Sequence, residues 1–216
     1  MTTTAQPGRR QRADAERNRR RVLDAASRVF AEHGPTATLN DVAQAAGVGV
    51  GTIYRKFPDK QALLDELLED KVGAIMQVVD DAAVIADPGE AFRHYLAGIV
   101  ELHARDRSLS TVLFGPERYD RFPPHLSERL ASTADRLIEN AIAAGQLRSG
   151  FTRQDTIAIA VMISTIAMAS RETDPELWRR YSDLIIDGSR PSASPAPLTA
   201  VPPEFRAMTE ALSRVL

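Results

Sequence analysis

The chain reads as an all-α protein, with a three-helix helix-turn-helix head followed by a larger helical body. Three observations carry that reading. Apolar residues recur three and four apart along most of the length, and no stretch alternates apolar and polar as a half-buried strand does. Residues 38–57 hold two short helical patterns joined at a glycine. Charge is unevenly placed: residues 1–60 carry eleven Lys/Arg against six Asp/Glu, and residues 61–216 carry sixteen against twenty-three, so a basic head precedes an acidic body.

In chain order, residues 1–12 are polar, with Pro7, Gly8, Arg9, Arg10 and Arg12, and read as a disordered basic arm. The head is expected over residues 13–70. Its first helix runs from about Ala13 to His33, with Val22, Ala25, Ala26, Val29 and Phe30 inward, and Gly34-Pro35 closing it. Thr38 with Asp41 three positions on is a capping box for a second helix. Leu39, Val42, Ala43 and Ala46 form that helix's buried face, and Gly47 stands where a left-handed C-cap is cheapest for glycine. A third helix of about Gly49 to Phe57 turns Ile53 and Phe57 inward. It leaves Val50, Gly51, Thr52, Tyr54, Arg55 and Lys56 outside. Small, hydroxylated and basic side chains in place of a second apolar face suit a helix lying in the major groove of DNA. The run Gly47-Val-Gly-Val-Gly51 is not a phosphate-cradling loop, since a capped helix precedes it and Thr-Ile-Tyr follows where a P-loop has Gly-Lys-Ser/Thr.

The pattern Thr-x-x-Asp-Val-Ala-x-x-Ala-Gly-Val-x-x-Gly-Thr-Ile-Tyr-x-x-Phe-x-x-Lys-x-x-Leu runs from Thr38 through Lys60 to Leu63. At these residues the chain resembles the TetR family of one-component transcriptional regulators. The resemblance covers roughly residues 15–75 and implies a regulator that binds double-stranded operator DNA. One departure is Gly49, where the family often has serine; only its backbone N–H remains to touch phosphate. The division of labour expected on DNA gives phosphate to Thr38, Tyr54, Lys56 and Lys60. It gives base edges to Val50, Gly51, Thr52 and Arg55, with Val50 against a thymine methyl. A lysine at a helix N-terminus opposes the helix dipole, and the resemblance implies that Lys60 is aimed at phosphate.

Pro58-Asp59 breaks the chain, and Asp59 is a good N-cap for a connecting helix of about Lys60 to Ala86, lined by Leu63, Leu64, Leu67, Leu68, Val72, Ile75 and Val79. The body is expected over residues 71–189. Phe92, Tyr95, Leu96, Ile99, Val100 and His103 fit one helix. A broken segment then carries Leu109, Val112, Leu113 and Phe114, with Gly115-Pro116 and Phe122-Pro123-Pro124 marking a loop. Leu126 to Ile142 gives a long helix ended by Gly145. Two more follow, about Thr152–Arg171 and Asp174–Gly188. The first of these is apolar nearly all round from Thr156 to Ala169, so it must be covered on every side. Its small residues, and a stripe on the next helix, suit a homodimer interface at Ala160, Ser164, Ala167, Leu177, Tyr181, Leu184 and Ile185, the alternative being a helix buried within a monomer. The resemblance implies an intersubunit four-helix bundle there, and hence a near-palindromic operator read in major grooves about 34–36 Å apart or multiples of that. Residues 190–203 read as a Pro/Ser/Ala-rich linker and 204–216 as a short C-terminal helix, docked or loose.

Five of the chain's twelve aromatics fall between Phe92 and Phe122. Pockets are apolar and aromatic with few polar anchors, and the resemblance implies an effector in the second domain. The expected lining is Phe92, Tyr95, Phe114, Tyr119 and Met162, with His94 and His103 as polar anchors, for a small, largely apolar effector that releases a repressor from DNA. A DNA-binding regulator answering to a protein partner, or to no small molecule, is the alternative. An α-helical enzyme is a weaker one: there is no Gly-x-Ser-x-Gly, His-Glu-x-x-His or P-loop, hence no expected catalytic residue, metal or cofactor. Cysteine is absent, so disulfide and thiol chemistry are excluded. No apolar run approaches the ~18 residues of a membrane span, and Met1 to Arg21 has no apolar region of a secretory signal, which points to the cytoplasm.

Overall fold

The structure, a computed structural model, describes residues 7–33, 36–106, 109, 113, 124–192, 198 and 200–212. All regular structure among them is helical: α1 (Pro7–His33), α2 (Leu39–Ala46), α3 (Val50–Lys56), α4 (Lys60–Ala83), α5 (Pro88–Arg105), α6 (Pro124–Ala143), α7 (Arg153–Ser170), α8 (Leu177–Gly188) and α9 (Phe205–Leu212). The chain divides into two compact units, Met1–Glu69 and Asp70–Leu216. No helix among the described residues is long and apolar enough to cross a membrane.

Unit one is built on α1, whose Val22, Leu23, Ala25, Ala26, Val29 and Phe30 are all buried. The helix begins at Pro7, inside the stretch expected to be a disordered arm. Proline's fixed φ suits a first helical turn, where its missing N–H is no loss. α2 buries Leu39, Val42, Ala43 and Ala46, the face its spacing predicts. α4 starts where Asp59 caps it, the carboxylate accepting the Ala62 N–H at 2.8 Å. It stops at Ala83, short of the expected Ala86; Ile85 N–H turns back to the Ala82 carbonyl and Asp87 already caps α5 through the Glu90 N–H.

Unit two packs around α5 and α7. Its core holds Val79, Phe92, Tyr95, Leu96, Val100, Ile138, Ala160, Ile163 and Trp178, with Phe92 and Phe151 edge to face at 5.1 Å between centroids. Gln146, just beyond α6, accepts the Gly89 N–H at 2.8 Å and donates to Asp87, tying the end of α6 to the start of α5. α7 is started by Asp155, whose carboxylate accepts both the N–H and the hydroxyl of Thr152. α8 begins at Leu177 rather than Asp174, because residues 171–176 are taken up by turns closed on the Ser170 and Asp174 carbonyls. In α9, Met208 is buried while most of its described neighbours are exposed.

The all-round apolar α7 resolves into two faces. Thr156, Ile159, Ala160, Ile163, Ala167 and Ser170 are buried, at helical spacing. Met162, Thr165, Met168 and Ala169 are exposed. Ala160 and Ala167, expected at a dimer interface, instead fill the core of their own unit, Ala160 at 0% exposure. Small residues are needed there because α5 and α7 pack closely.

Gly98 of α5 faces Val78 of α4 so closely that a Cβ would lie 2.6 Å from Val78 Cγ1. Gly98→Ala should therefore overpack this crossing and cost about 1–3 kcal/mol in urea unfolding. Gly73 of α4 has nothing within 4 Å of an added Cβ, and Gly73→Ala should gain up to about 1 kcal/mol from helix propensity. Equal behaviour of the two variants would contradict the close crossing.

Candidate nucleic-acid interface

The turn between α2 and α3 is fixed from both sides. Gly47 takes φ 63° and ψ 37°, a left-handed conformation, and its N–H reaches the Gln44 carbonyl while Val48 N–H reaches that of Ala43. Arg21 of α1 donates from Nη2 to the Ala46 carbonyl at 2.7 Å, satisfying an acceptor that the end of α2 leaves open. At the other end of α2, Thr38 Oγ1 accepts the Asp41 N–H at 3.2 Å, and Asp41 Oδ2 accepts the Thr38 N–H at 2.8 Å and its hydroxyl at 2.7 Å. These side-chain and backbone hydrogen bonds from Thr38 hold the Asp41 carboxyl below its ordinary value. The only hydroxyl proton of Thr38 is thus committed to the cap. Its expected phosphate contact would require giving that bond up.

α3 buries one side chain, Ile53, and ends on buried Phe57, whose N–H donates to the Ile53 carbonyl at 2.8 Å. Everything else on the helix is exposed: Val50 by 49%, Tyr54 by 46%, and Gly51, Thr52, Arg55 and Lys56. Gly49, at the N-cap, provides no side-chain cap. Among the described residues the side chains of Thr52, Tyr54 and Arg55 make no hydrogen bond or ion pair, so an unspent guanidinium stands on the exposed face. The structure thus brings Gly49, Val50, Gly51, Thr52, Tyr54, Arg55 and Lys56 together on one open surface, with Thr38 exposed at the start of α2.

The two lysines differ from Arg55. Lys60 Nζ lies over the Phe30 ring, 5.4 Å from its centroid, and Lys56 Nζ lies 3.2 Å from Glu66 Oε1. The same oxygen accepts Arg19 Nε at 2.6 Å. Between α1 and α3 runs a groove of about 590 Å³, lined by Asn18, Arg19 and Val22 on one side and by Thr52, Arg55 and Lys56 on the other. Sequence reasoning missed Asn18, Arg19, Arg21 and Glu66. Only a spacing placing α1 residues 18, 19 and 22 on its inner edge could have pointed to them.

The expected effector residues are scattered. Phe92 and Tyr95 are buried in the core of unit two, and burial pushes the Tyr95 hydroxyl up to about 12. His103 is buried, with Nδ1 2.9 Å from the Ile99 carbonyl and Nε2 without a partner among the described residues. Desolvation lowers its pKa, against that hydrogen bond and nearby Asp106. His94 is exposed on the opposite side of α5. Met162 is 51% exposed and belongs to the open face of α7 rather than to an interior lining. The all-round apolar α7 gives no phase from which to place Met162. Phe114, Tyr119 and Phe122 lie outside the described residues.

The chain matches two family models: bacterial regulatory proteins of the tetR family over residues 22–67, and the C-terminal domain of SbtR-like transcriptional regulators over residues 87–191. It is 54% identical over 52 residues to the HTH-type transcriptional repressor LfrR of Mycolicibacterium smegmatis, 24% of this chain and 27% of that protein. It is 33% identical over 113 residues to the HTH-type transcriptional regulator AcrR of Shigella flexneri, 49% of this chain and 52% of that protein. The chain therefore spans from about a quarter to about half the length of these curated relatives. Among solved structures, the TetR transcription regulatory protein from Mycobacterium vanbaalenii is 31% identical with a TM-score of 0.56, over 83% of this chain and 99% of that one.

Two tests concern the cap. Thr38→Ala should cost about 1 kcal/mol of stability through loss of the N-cap. Asp41 has a lowered value in the folded state, so its charge-linked stabilisation is complete above the ordinary aspartate range and is lost as pH falls through the lowered value. The stability advantage of the wild type over Asp41→Asn should accordingly be present at neutral pH and vanish in strong acid. An advantage that grew on acidification, followed by chemical denaturation, would contradict the assignment.

Proposed function

Because the chain belongs to the TetR family of transcriptional regulators, whose members are regulators and not enzymes, we propose that it is a homodimeric repressor. It binds a near-palindromic operator through α3 and is released by a small, largely apolar effector held in unit two. The observation that carries the DNA reading is α3 itself, a helix with one buried side chain and an open face of Val50, Thr52, Tyr54, Arg55 and Lys56. Arg55, unpaired within the described residues, is the base-reading group, suited to a bidentate pair with guanine. Lys56 and Tyr54 hold phosphate.

The dimer reading rests on four large apolar side chains that the fold leaves exposed. Met162 and Met168 of α7 and Tyr181 and Leu184 of α8 are between 41% and 59% exposed. Large apolar side chains this open on consecutive helices call for a covering partner. A second copy supplies one and would set two recognition helices in successive major grooves.

The effector reading rests on His103. The Ile99 carbonyl can only accept, so Nδ1 carries the proton and buried Nε2 is a bare acceptor. A buried acceptor without a partner costs about 1–3 kcal/mol, and an effector hydroxyl or N–H would satisfy it. Three residues on, Asp106 at the end of α5 pairs with Lys71 of α4. α4 runs unbroken from Lys60 to Ala83, across the division at Glu69. An effector that favours one position of α4 would thereby bias DNA binding; coupling of about 1–3 kcal/mol is a 5–150-fold change.

Two measurements test this. Arg55→Ala should cost about 1–3 kcal/mol on a duplex recovered by in vitro selection and relax preference at one position per half-site. Unaltered preference would remove Arg55 from base reading. Leu184→Arg should bury an unpaired charge in the dimer, at about 3–5 kcal/mol, and sediment as a monomer at micromolar concentration. Val84→Arg, at a site 84% exposed outside the stripe, should stay dimeric. A dimeric Leu184→Arg protein would place the interface elsewhere.

A further inference from the structure

Among the described residues, Glu66 of α4 is the carboxylate that meets both helices bordering the groove beside α3. Its Oε1 accepts Arg19 Nε of α1 at 2.6 Å and Lys56 Nζ, from the last residue of α3, at 3.2 Å. The three side chains are partly shielded, at 23% exposure for Glu66, 32% for Arg19 and 40% for Lys56. The groove leaves α1 and α3 apart along this edge, so the Arg19–Glu66–Lys56 bridge is the polar link across it. Two of the cations nearest the exposed face of α3 are thereby held on a single oxygen of the protein's own.

We infer that Glu66 is a specificity-determining residue: it competes with DNA phosphate for Lys56 and Arg19 and so restrains sequence-independent binding. The inference rests on the DNA-binding role of α3. The physical reason is that phosphate contacts supply essentially all non-specific affinity, through counterion release, whereas base contacts supply discrimination. A carboxylate already seated on two cations lowers their gain from any phosphate, whatever the sequence. Arg55 carries no such partner, so base reading is left intact. The ratio of specific to non-specific affinity is raised by subtracting from the term common to both.

The test uses the full-length protein and two duplexes of equal length, one recovered by in vitro selection with the wild type and one a scramble of it. Fluorescence anisotropy is recorded across a salt series. Glu66→Gln keeps the shape and an acceptor while removing the charge. It should bind the scramble several-fold more tightly and steepen the salt slope by up to about one unit, chiefly from Lys56 at ~0.9 per phosphate, because Arg19 keeps Glu16 at 3.4 Å. Discrimination between the duplexes should fall. Adding Lys56→Gln to Glu66→Gln should return part of the added slope, whereas Glu66→Asp should keep the wild-type slope or nearly so. An unchanged slope in Glu66→Gln overturns the inference, as does weaker binding to both duplexes by a variant whose circular dichroism and melting match the wild type. Failure of the wild type itself to select any duplex would instead overturn the DNA-binding reading, so the two failures are separable.

Discussion

A seven-residue helix that buries a single side chain cannot hold its own position, and the rest of the head is arranged around that constraint. Isolated helices shorter than about 12–15 residues are marginal in water, and α3 is shorter still. Its anchorage comes from outside: the left-handed turn at Gly47, Arg21 on the last carbonyls of α2, Phe57 buried at its C-terminus, and Glu66 on Lys56. The turn joins α3 to α2, whose end Arg21 fixes to α1, Phe57 seats the end of α3 in the core, and Glu66 ties it to α4. The consequence is an outer face free of packing duty. Val50 and Tyr54 can stay half exposed without loss of the fold because α3 contributes so little to the core.

What was legible in the sequence is what is decided locally. The Thr38–Asp41 cap lies within four residues, Gly47 announces itself by its position after the last apolar residue, and Ile53 and Phe57 are four apart. Each is a short-range pattern with its own physical cause. Arg21 and Glu66 were not legible, since their partners lie 25 residues away for Arg21–Ala46 and 47 for Glu66–Arg19. In sequence they are ordinary charged residues on amphipathic helices. The failure at α7 has another origin. A helix apolar on every side carries no phase, so the spacing alone does not tell whether the small residues Ala160 and Ala167 face inward or outward. In the structure they are inner, and Met162 and Met168 are outer. Residues 7–12 were read as an arm because their polarity hides periodicity, although Pro7 is a suitable first residue for a helix.

Net charge is a poor guide to which cations can act. The first sixty residues carry five more basic than acidic side chains, yet the charges on and around α3 are in different states. Arg55 is unpaired among the described residues. Lys56 shares a carboxylate with Arg19, and Lys60 rests over an aromatic ring. Ion pairs this exposed contribute little to stability, typically under about 1 kcal/mol. Their more significant effect is on what the cations offer to a ligand. A pair that hardly stabilises the fold can still subtract from phosphate binding, because there the comparison is between two anions for the same amine.

The same reasoning bears on how a signal in unit two could reach DNA. α4 carries Glu66 and, five residues on, Lys71, so the two lie about 7–8 Å apart along one helix axis at 1.5 Å per residue. Lys71 pairs with Asp106 at the end of α5, beyond His103, and Glu66 engages Lys56 and Arg19. A helix is stiff over so short a span. Under the proposed function, an effector that draws the end of α5 to a new position would act on Lys71, on the same helix that carries Glu66. A shift that seats Glu66 more firmly on Lys56 and Arg19 would by itself weaken phosphate contacts, and its effect would be greatest at low salt, where those contacts count most.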